Sequence, residues 1–103
     1  ELQKKVTVEI CICDVARWDE VQKLPDCDLV LHAAGNVKDG LLVHATLEDV
    51  RKVLRPKVRG AVHLNKRYPD ARLLAFSSSS GVFGSAAQAS YAFANASMDA
   101  VIP

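Results

Sequence analysis

A chain of 103 residues, half of them hydrophobic and 24% charged, has the makeup of a soluble globular domain or part of one, and not of a disordered tail or a membrane span. Its formal charge of +1 supplies no field to gather nucleic acid, and no apolar run approaches the roughly 20 residues a bilayer needs. No secretory signal opens the sequence, and Cys11, Cys13 and Cys27, without a Cys-x-x-Cys or a clustered histidine pair, read as inert thiols of a reducing cytosol with no metal site.

Val6 to Cys13 alternates and predicts a first strand ending at Asp14, with Cys11 and Cys13 on one face. Val15 to Lys23 reads as a short helix ahead of a Pro25-Asp26 turn. The apolar run Leu29-Val30-Leu31-His32 predicts a second, buried strand that ends in Ala33-Ala34-Gly35. After a polar loop through Asp39-Gly40, Thr46 and Asp49 have capping-box spacing and open a helix running towards Lys66. Arg72 to Ser77 is the third predicted strand, and Gln88 to Val101 the last helix. No repeat, linker or low-complexity stretch divides residues 1–103, which read as part of one domain.

Strands separated by helices imply an α/β fold with a parallel sheet and right-handed crossovers. Such sheets bind ligands beyond the carboxyl ends of their strands, here Asp14, Ala33 to Gly35, and Ser77 to Gly81. Alanine and glycine let a flat cofactor lie against the backbone; taken singly, each of these edges also reads as a tight turn. Ser78 lies where the third strand gives way to small polar residues. Thirteen residues on, Tyr91 and Asn95 lie one turn apart on one face of the last helix. A tyrosine so placed can trade a proton with a bound substrate.

On the helix from Leu47, residues Val50, Val53, Leu54, Lys57, Val58, Ala61 and Leu64 recur at helical spacing, which sets Lys57 on the face that packs against the sheet. A buried ammonium needs a partner, since an unpaired one costs several kcal/mol. The other reading has Lys57 snorkel from the edge of the stripe, with Lys52, Arg55 and Arg59 on the solvated side. Pro56 removes one backbone bond and crowds the Lys52 carbonyl, so a kink is expected just before Lys57.

In this order, Cys13-Asp14-Val15, His32-Ala33-Ala34-Gly35, Asp39-Gly40-Leu41-Leu42, the run Pro56 to Ala61, Phe76-Ser77-Ser78 and the run Gly81 to Ala96 resemble the ketoreductase domains of modular polyketide synthases and animal-type fatty acid synthases. These form a branch of the short-chain dehydrogenase/reductase superfamily, and the resemblance covers nearly the whole chain. Most short-chain dehydrogenases carry lysine four residues after the tyrosine. The synthase ketoreductases carry asparagine there and take their lysine from the earlier helix, as Asn95 and Lys57 are arranged here.

The resemblance implies a Rossmann-type parallel sheet with flanking helices. It also implies reduction, by NADPH, of a β-ketoacyl thioester tethered to an acyl carrier protein, within a multidomain synthase whose other domains are further partners. By the same resemblance Tyr91 donates the proton, Ser78 gives the ketone oxygen a second hydrogen bond, Lys57 favours the phenolate and holds the nicotinamide ribose hydroxyls, and Asn95 orders a water that resupplies protons. Asp14 and Val15 would border the adenine, and Ala33, Ala34 and Gly35, with Lys57 and Tyr91, would line the cofactor. Residue chemistry agrees: a ketone accepting hydride develops negative charge on oxygen and needs an acid and a donor there. A free phenol titrates near 10, so a neighbouring cation helps it work near neutrality. The loop Val37-Lys38-Asp39 keeps only the last aspartate of the Leu-Asp-Asp pattern that marks B-type enzymes giving the D-hydroxy product, and Phe83 stands where the other class has tryptophan.

No Gly-x-Gly-x-x-Gly occurs, and the first strand here corresponds to the family's third. In a sheet of order 3-2-1-4-5-6 that strand reaches the fourth only through the second and first. The expected fold is therefore incomplete, lacking the glycine-rich first strand–helix unit: a fragment of a longer ketoreductase that alone is marginally stable and binds NADPH poorly. The stretch from Lys57 to Ser78 is about three residues shorter than the resemblance leads one to expect, with Asn65 to Asp70 expected to replace a helix end by a tight turn. A non-catalytic ketoreductase-like structural domain is the alternative; the missing nucleotide loop favours it, and the presence of Lys57, Ser78, Tyr91 and Asn95 opposes it. A nucleic-acid binder built on Arg51, Lys52, Arg55, Lys57 and Arg59 is opposed by the facing Glu48 and Asp49 and by the lack of interleaved aromatics. A serine hydrolase would need a Gly-x-Ser-x-Gly elbow, which Ser77 to Gly81 lacks. His32, His44 and His63 are scattered and receive no role.

Overall fold

The computed structural model describes residues 5–102. In chain order its elements are α1 (Trp18–Val21), β1 (Leu29–His32), a 3-10 turn (Leu42–His44), α2 (Leu47–Leu54), a π-helical turn (Arg55–Arg59), α3 (Gly60–Arg67), β2 (Arg72–Ala75), α4 (Ser80–Phe83) and α5 (Ala89–Val101). β1 and β2 pair in parallel, from Leu29 opposite Arg72 to His32 opposite Ala75. The α/β architecture with a parallel sheet and flanking helices is thus the one expected, in incomplete form.

Side chains alternate across a strand, so Val30 and His32 share a face with Leu73 and Ala75. Helix α3 packs over β1 and β2. The core there is Val21, Leu64 and Tyr68, against which Val15, Trp18, Leu24, Val30, Ala71 and Leu73 pack. Polar ties close its edge. The Tyr68 hydroxyl donates to the Pro25 carbonyl at 2.7 Å, and the Arg67 guanidinium reaches the Leu24 carbonyl at 2.7 Å and Asp26 at 2.8 Å. Burial pushes the Cys13 thiol up, with Glu20 adding to it, so the nucleophilic thiolate is disfavoured.

Four sequence expectations are corrected. Val6 to Cys13 forms no strand; it is exposed as far as Ile12, which is fully open to solvent, and only Cys13 is partly buried against the core. A strand needs a neighbour to bond with, and among the described residues none lies beside it. The helix expected over Val15 to Lys23 shrinks to Trp18–Val21, because the Asp14 carboxylate accepts from the Ala16 amide at 2.9 Å and holds the approach as a turn. The second strand is buried on one side only: Leu29 and Leu31 are 50% and 59% exposed because a single helical layer covers the sheet. β2 ends at Ala75 and not Ser77. The Phe76 amide still bonds the His32 carbonyl at 2.9 Å, but the Phe76 carbonyl turns to the Lys57 amine.

The long predicted helix is present from its cap onward. The Thr46 hydroxyl accepts from the Asp49 amide at 3.1 Å, and the Asp49 carboxylate accepts from the Thr46 amide at 3.2 Å, a complete capping box. Pro56 has no N–H to give the Lys52 carbonyl, and the ladder responds by widening into a π-helical turn in which the Gly60 amide reaches back to Arg55. Helix then resumes through Arg67, past the expected tight turn, which falls at Tyr68 to Ala71. Val53, Lys57, Ala61 and Leu64 are buried, while Lys52, Arg55 and Arg59 are exposed, as the helical stripe predicts.

Candidate active site

Lys57 sits in the π-helical turn and is 5% exposed, which decides between its two readings in favour of burial. Its amine donates to the Phe76 carbonyl just beyond β2. Its stem passes Gly35, where an added Cβ would lie 3.2 Å from the lysine Cε. An ammonium carries three donors, so two remain after the bond to Phe76.

The π-helical turn packs on α5, which carries Tyr91 and Asn95 one turn apart. Asn95 is fully buried; its amide donates to the Tyr91 carbonyl at 2.8 Å, while its Oδ1 has no hydrogen-bond partner among the described residues. A buried acceptor of this kind is ordinarily satisfied by water or ligand. Tyr91 is half-buried. Helix α4 packs closely on α5 at Gly81, where a Cβ would approach the Ala96 amide nitrogen to 3.1 Å.

The four serines preceding α4 separate by their partners. Ser77 donates to Asp99 at 2.8 Å, and Ser80, buried, donates to the Ser78 hydroxyl at 2.9 Å, which also accepts from the Ser80 amide at 3.2 Å. Ser78 therefore receives hydrogen bonds and keeps its own proton to give. Lys57 is bonded two residues upstream of it. The structure thus brings the π-helical turn, the end of β2, α4 and α5 into direct contact, and with them the elements that carry Lys57, Ser78, Tyr91 and Asn95.

Of the remaining predicted residues, Ala33 and Gly35 are exposed and Ala34 half-buried beyond β1. The Asp14 carboxylate is engaged in its turn, and the Val15 side chain lies against Gly60, whose added Cβ would approach it to 2.8 Å. Near the start of α5 the Gln88 amide donates to Asp39 at 3.0 Å and the Gly40 amide to the Ala87 carbonyl at 2.8 Å. These ties hold the loop beside a cleft of about 220 Å³ that Asp39, Leu41, Leu42, His44 and Ser90 help to line.

The family model for the KR domain matches residues 1–103. The chain belongs to the KR domain family. Polyketide synthase PksL of Bacillus subtilis (strain 168) is 45% identical over 78 residues, 73% of this chain and 2% of that protein. The pikromycin polyketide synthase component PikAII of Streptomyces venezuelae is 40% identical over 106 residues, 91% of this chain and 3% of that protein. A solved ketoreductase from the first module of phoslactomycin biosynthesis in Streptomyces sp. HK803 superposes with a TM-score of 0.81 at 34% identity, over 85% of this chain and 23% of its own length. The chain is therefore a partial ketoreductase domain of the short-chain dehydrogenase/reductase superfamily.

KR domains are nicotinamide-dependent reductases, and the residues present fit one end of such a cofactor. Beyond β1 Gly35 lets the backbone lie close against the Lys57 stem, and the lysine has donors to spare. The sequence has no glycine-rich turn to hold the pyrophosphate. Sequence reasoning missed His32, which is 2% exposed and bonds the Lys57 backbone. The signal was its place two residues after Val30 on the core-facing side of an apolar strand, where a histidine must find a polar partner.

Proposed function

We propose that this KR chain carries the acid-donating half of an NADPH-dependent reductase acting on β-ketoacyl thioesters held by an acyl carrier protein in a polyketide synthase. When bound, the cofactor supplies the hydride. Tyr91 gives its proton to the ketone oxygen as charge develops there, and Ser78, its acceptor sites filled by Ser80, donates the second hydrogen bond. The Lys57 ammonium favours the phenolate that remains and would offer its free donors to the nicotinamide ribose. Asn95 orients Tyr91 through the helix and offers the buried Oδ1 to a water that resupplies protons. Asp14, Val15, Ala33, Ala34 and Gly35 would border the cofactor. Asp39, tied to Gln88 beside the cleft, supports the B-type class and the D-hydroxy product.

The observation that carries this reading is the buried Lys57 amine, held on a backbone carbonyl two residues from Ser78 in a turn packed on the Tyr91 helix. A buried cation in a core that gains nothing from it is costly, and this one lies in a turn packed on the helix that carries Tyr91 and is bonded two residues before Ser78. The test is Tyr91→Phe in the complete ketoreductase. Reduction of a β-ketoacyl thioester should fall about 10²–10⁴-fold with NADPH affinity nearly unchanged. Undiminished turnover would remove Tyr91 as the acid.

A further inference from the structure

Three hydrogen bonds close a ring through the ends of both strands and the π-helical turn. The His32 ring Nε2 meets the Lys57 carbonyl at 3.0 Å. The Lys57 amine donates to the Phe76 carbonyl. The Phe76 amide donates to the His32 carbonyl at 2.9 Å. A carbonyl only accepts, so His32 Nε2 carries the proton in this bond.

The ring fixes Lys57 at both ends, its carbonyl by His32 and its amine by Phe76. Backbone support alone is weak at this point. In the widened turn the Gly60 amide is shared between the Arg55 and Lys57 carbonyls, and shared bonds of poor geometry hold a helix less firmly. The neighbouring residue makes room for the histidine. An added Cβ at Gly60 would approach His32 Cε1 to 3.0 Å and Val15 Cγ2 to 2.8 Å, so glycine there lets the imidazole close under the turn.

We infer that His32 is a positioning residue of the ketoreduction: through its bond to the Lys57 carbonyl it sets the register of the π-helical turn and so the place of the lysine amine. The inference rests on the proposed role of Lys57. It assigns a function to a buried polar side chain that the proton-transfer steps leave unused, and it explains a histidine where valine or leucine would pack at lower cost in desolvation.

The test compares His32→Met with His32→Gln in the full synthase, two unbranched side chains of similar length of which only glutamine carries a donor that reaches as far as Nε2. Rates are expressed per folded protein, counted by the cooperative unfolding signal of each variant. His32→Met should lower kcat about 10- to 100-fold with KM for the β-ketoacyl thioester little changed, and His32→Gln should restore most of the lost kcat. A purely structural role predicts the opposite order, since the apolar methionine suits a buried site better than glutamine. Equal kcat in the two variants, or loss of folding in both, would overturn the inference, because packing alone would then decide. The reading beneath it fails separately: if Lys57→Met leaves turnover intact, the lysine has no role to be positioned for.

Discussion

The two faces of the β1–β2 sheet are written in nearly the same residues and end in different states. Val30, His32, Leu73 and Ala75 point to the side where α3 and α1 supply a core, and His32 is almost wholly enclosed. Leu29, Leu31 and Leu74 point to the other side and stay half or more exposed, as does Phe76 just beyond β2. Apolar residues on both faces are the pattern of a parallel sheet covered on both sides. The described residues supply one cover, and the face they cover is the one that carries Lys57. The site therefore depends on the finished half of the fold, while the bare half presents a contiguous apolar surface of the kind that marks an interface.

That contrast breaks most visibly under core truncation. In the isolated 103-residue chain, Leu64→Ala beneath α3 should cost about 2–5 kcal/mol, enough to abolish the folded circular dichroism of a marginally stable chain, and Leu74→Ala on the bare face should cost less than about 0.5 kcal/mol and leave it in place. Equal costs would erase the difference between the faces. In the complete ketoreductase the two should converge, because Leu74 gains a cover there. Next in size is Tyr68→Phe, which removes the hydroxyl bond to the Pro25 carbonyl at the rim of the core and should cost about 1 kcal/mol with turnover unchanged. Burial raises the pKa of Tyr68 above the ordinary phenol value, so this contribution is complete below about pH 10 and fades only as pH rises through the higher folded value.

The smallest effect falls at the solvated start of α2. The Thr46 hydroxyl, followed by its amide, holds the Asp49 carboxyl below the usual carboxylate range. A lowered folded value means stability that is present above the unfolded value, about 3.9, and is lost as pH falls through the folded one. Thermal midpoints of Thr46→Ala and the parent should therefore differ at neutral pH, and the gap should narrow in strong acid to the share of the hydroxyl bond from the Asp49 amide. A gap that does not narrow in acid would assign the effect to the hydroxyl alone.

Much of this was legible in the sequence because the signals were local. The Thr46–Asp49 box, the stripe from Val53 to Leu64 and the turn-spaced pair Tyr91 and Asn95 each follow from spacing within one helix. What the sequence hid depended on partners far along the chain. Val6 to Cys13 alternates as a strand does, yet pairing is a property of two segments and its neighbour is not among the described residues. The response to Pro56 was readable as a disturbance but not as a π-helical turn, since a kink and a widened ladder both relieve the same clash. His32 looked idle because its partner, the Lys57 carbonyl, lies 25 positions away.

The central claim is that a cation is kept in the covered half for chemistry and not for stability. It is tested most directly by Lys57→Met in the complete ketoreductase, measuring β-ketoacyl thioester reduction and the thermal midpoint together. The account predicts turnover reduced about 10²-fold or more with a midpoint unchanged or raised, since an apolar side chain is easier to bury. A variant that reduces the thioester at the parent rate would contradict it.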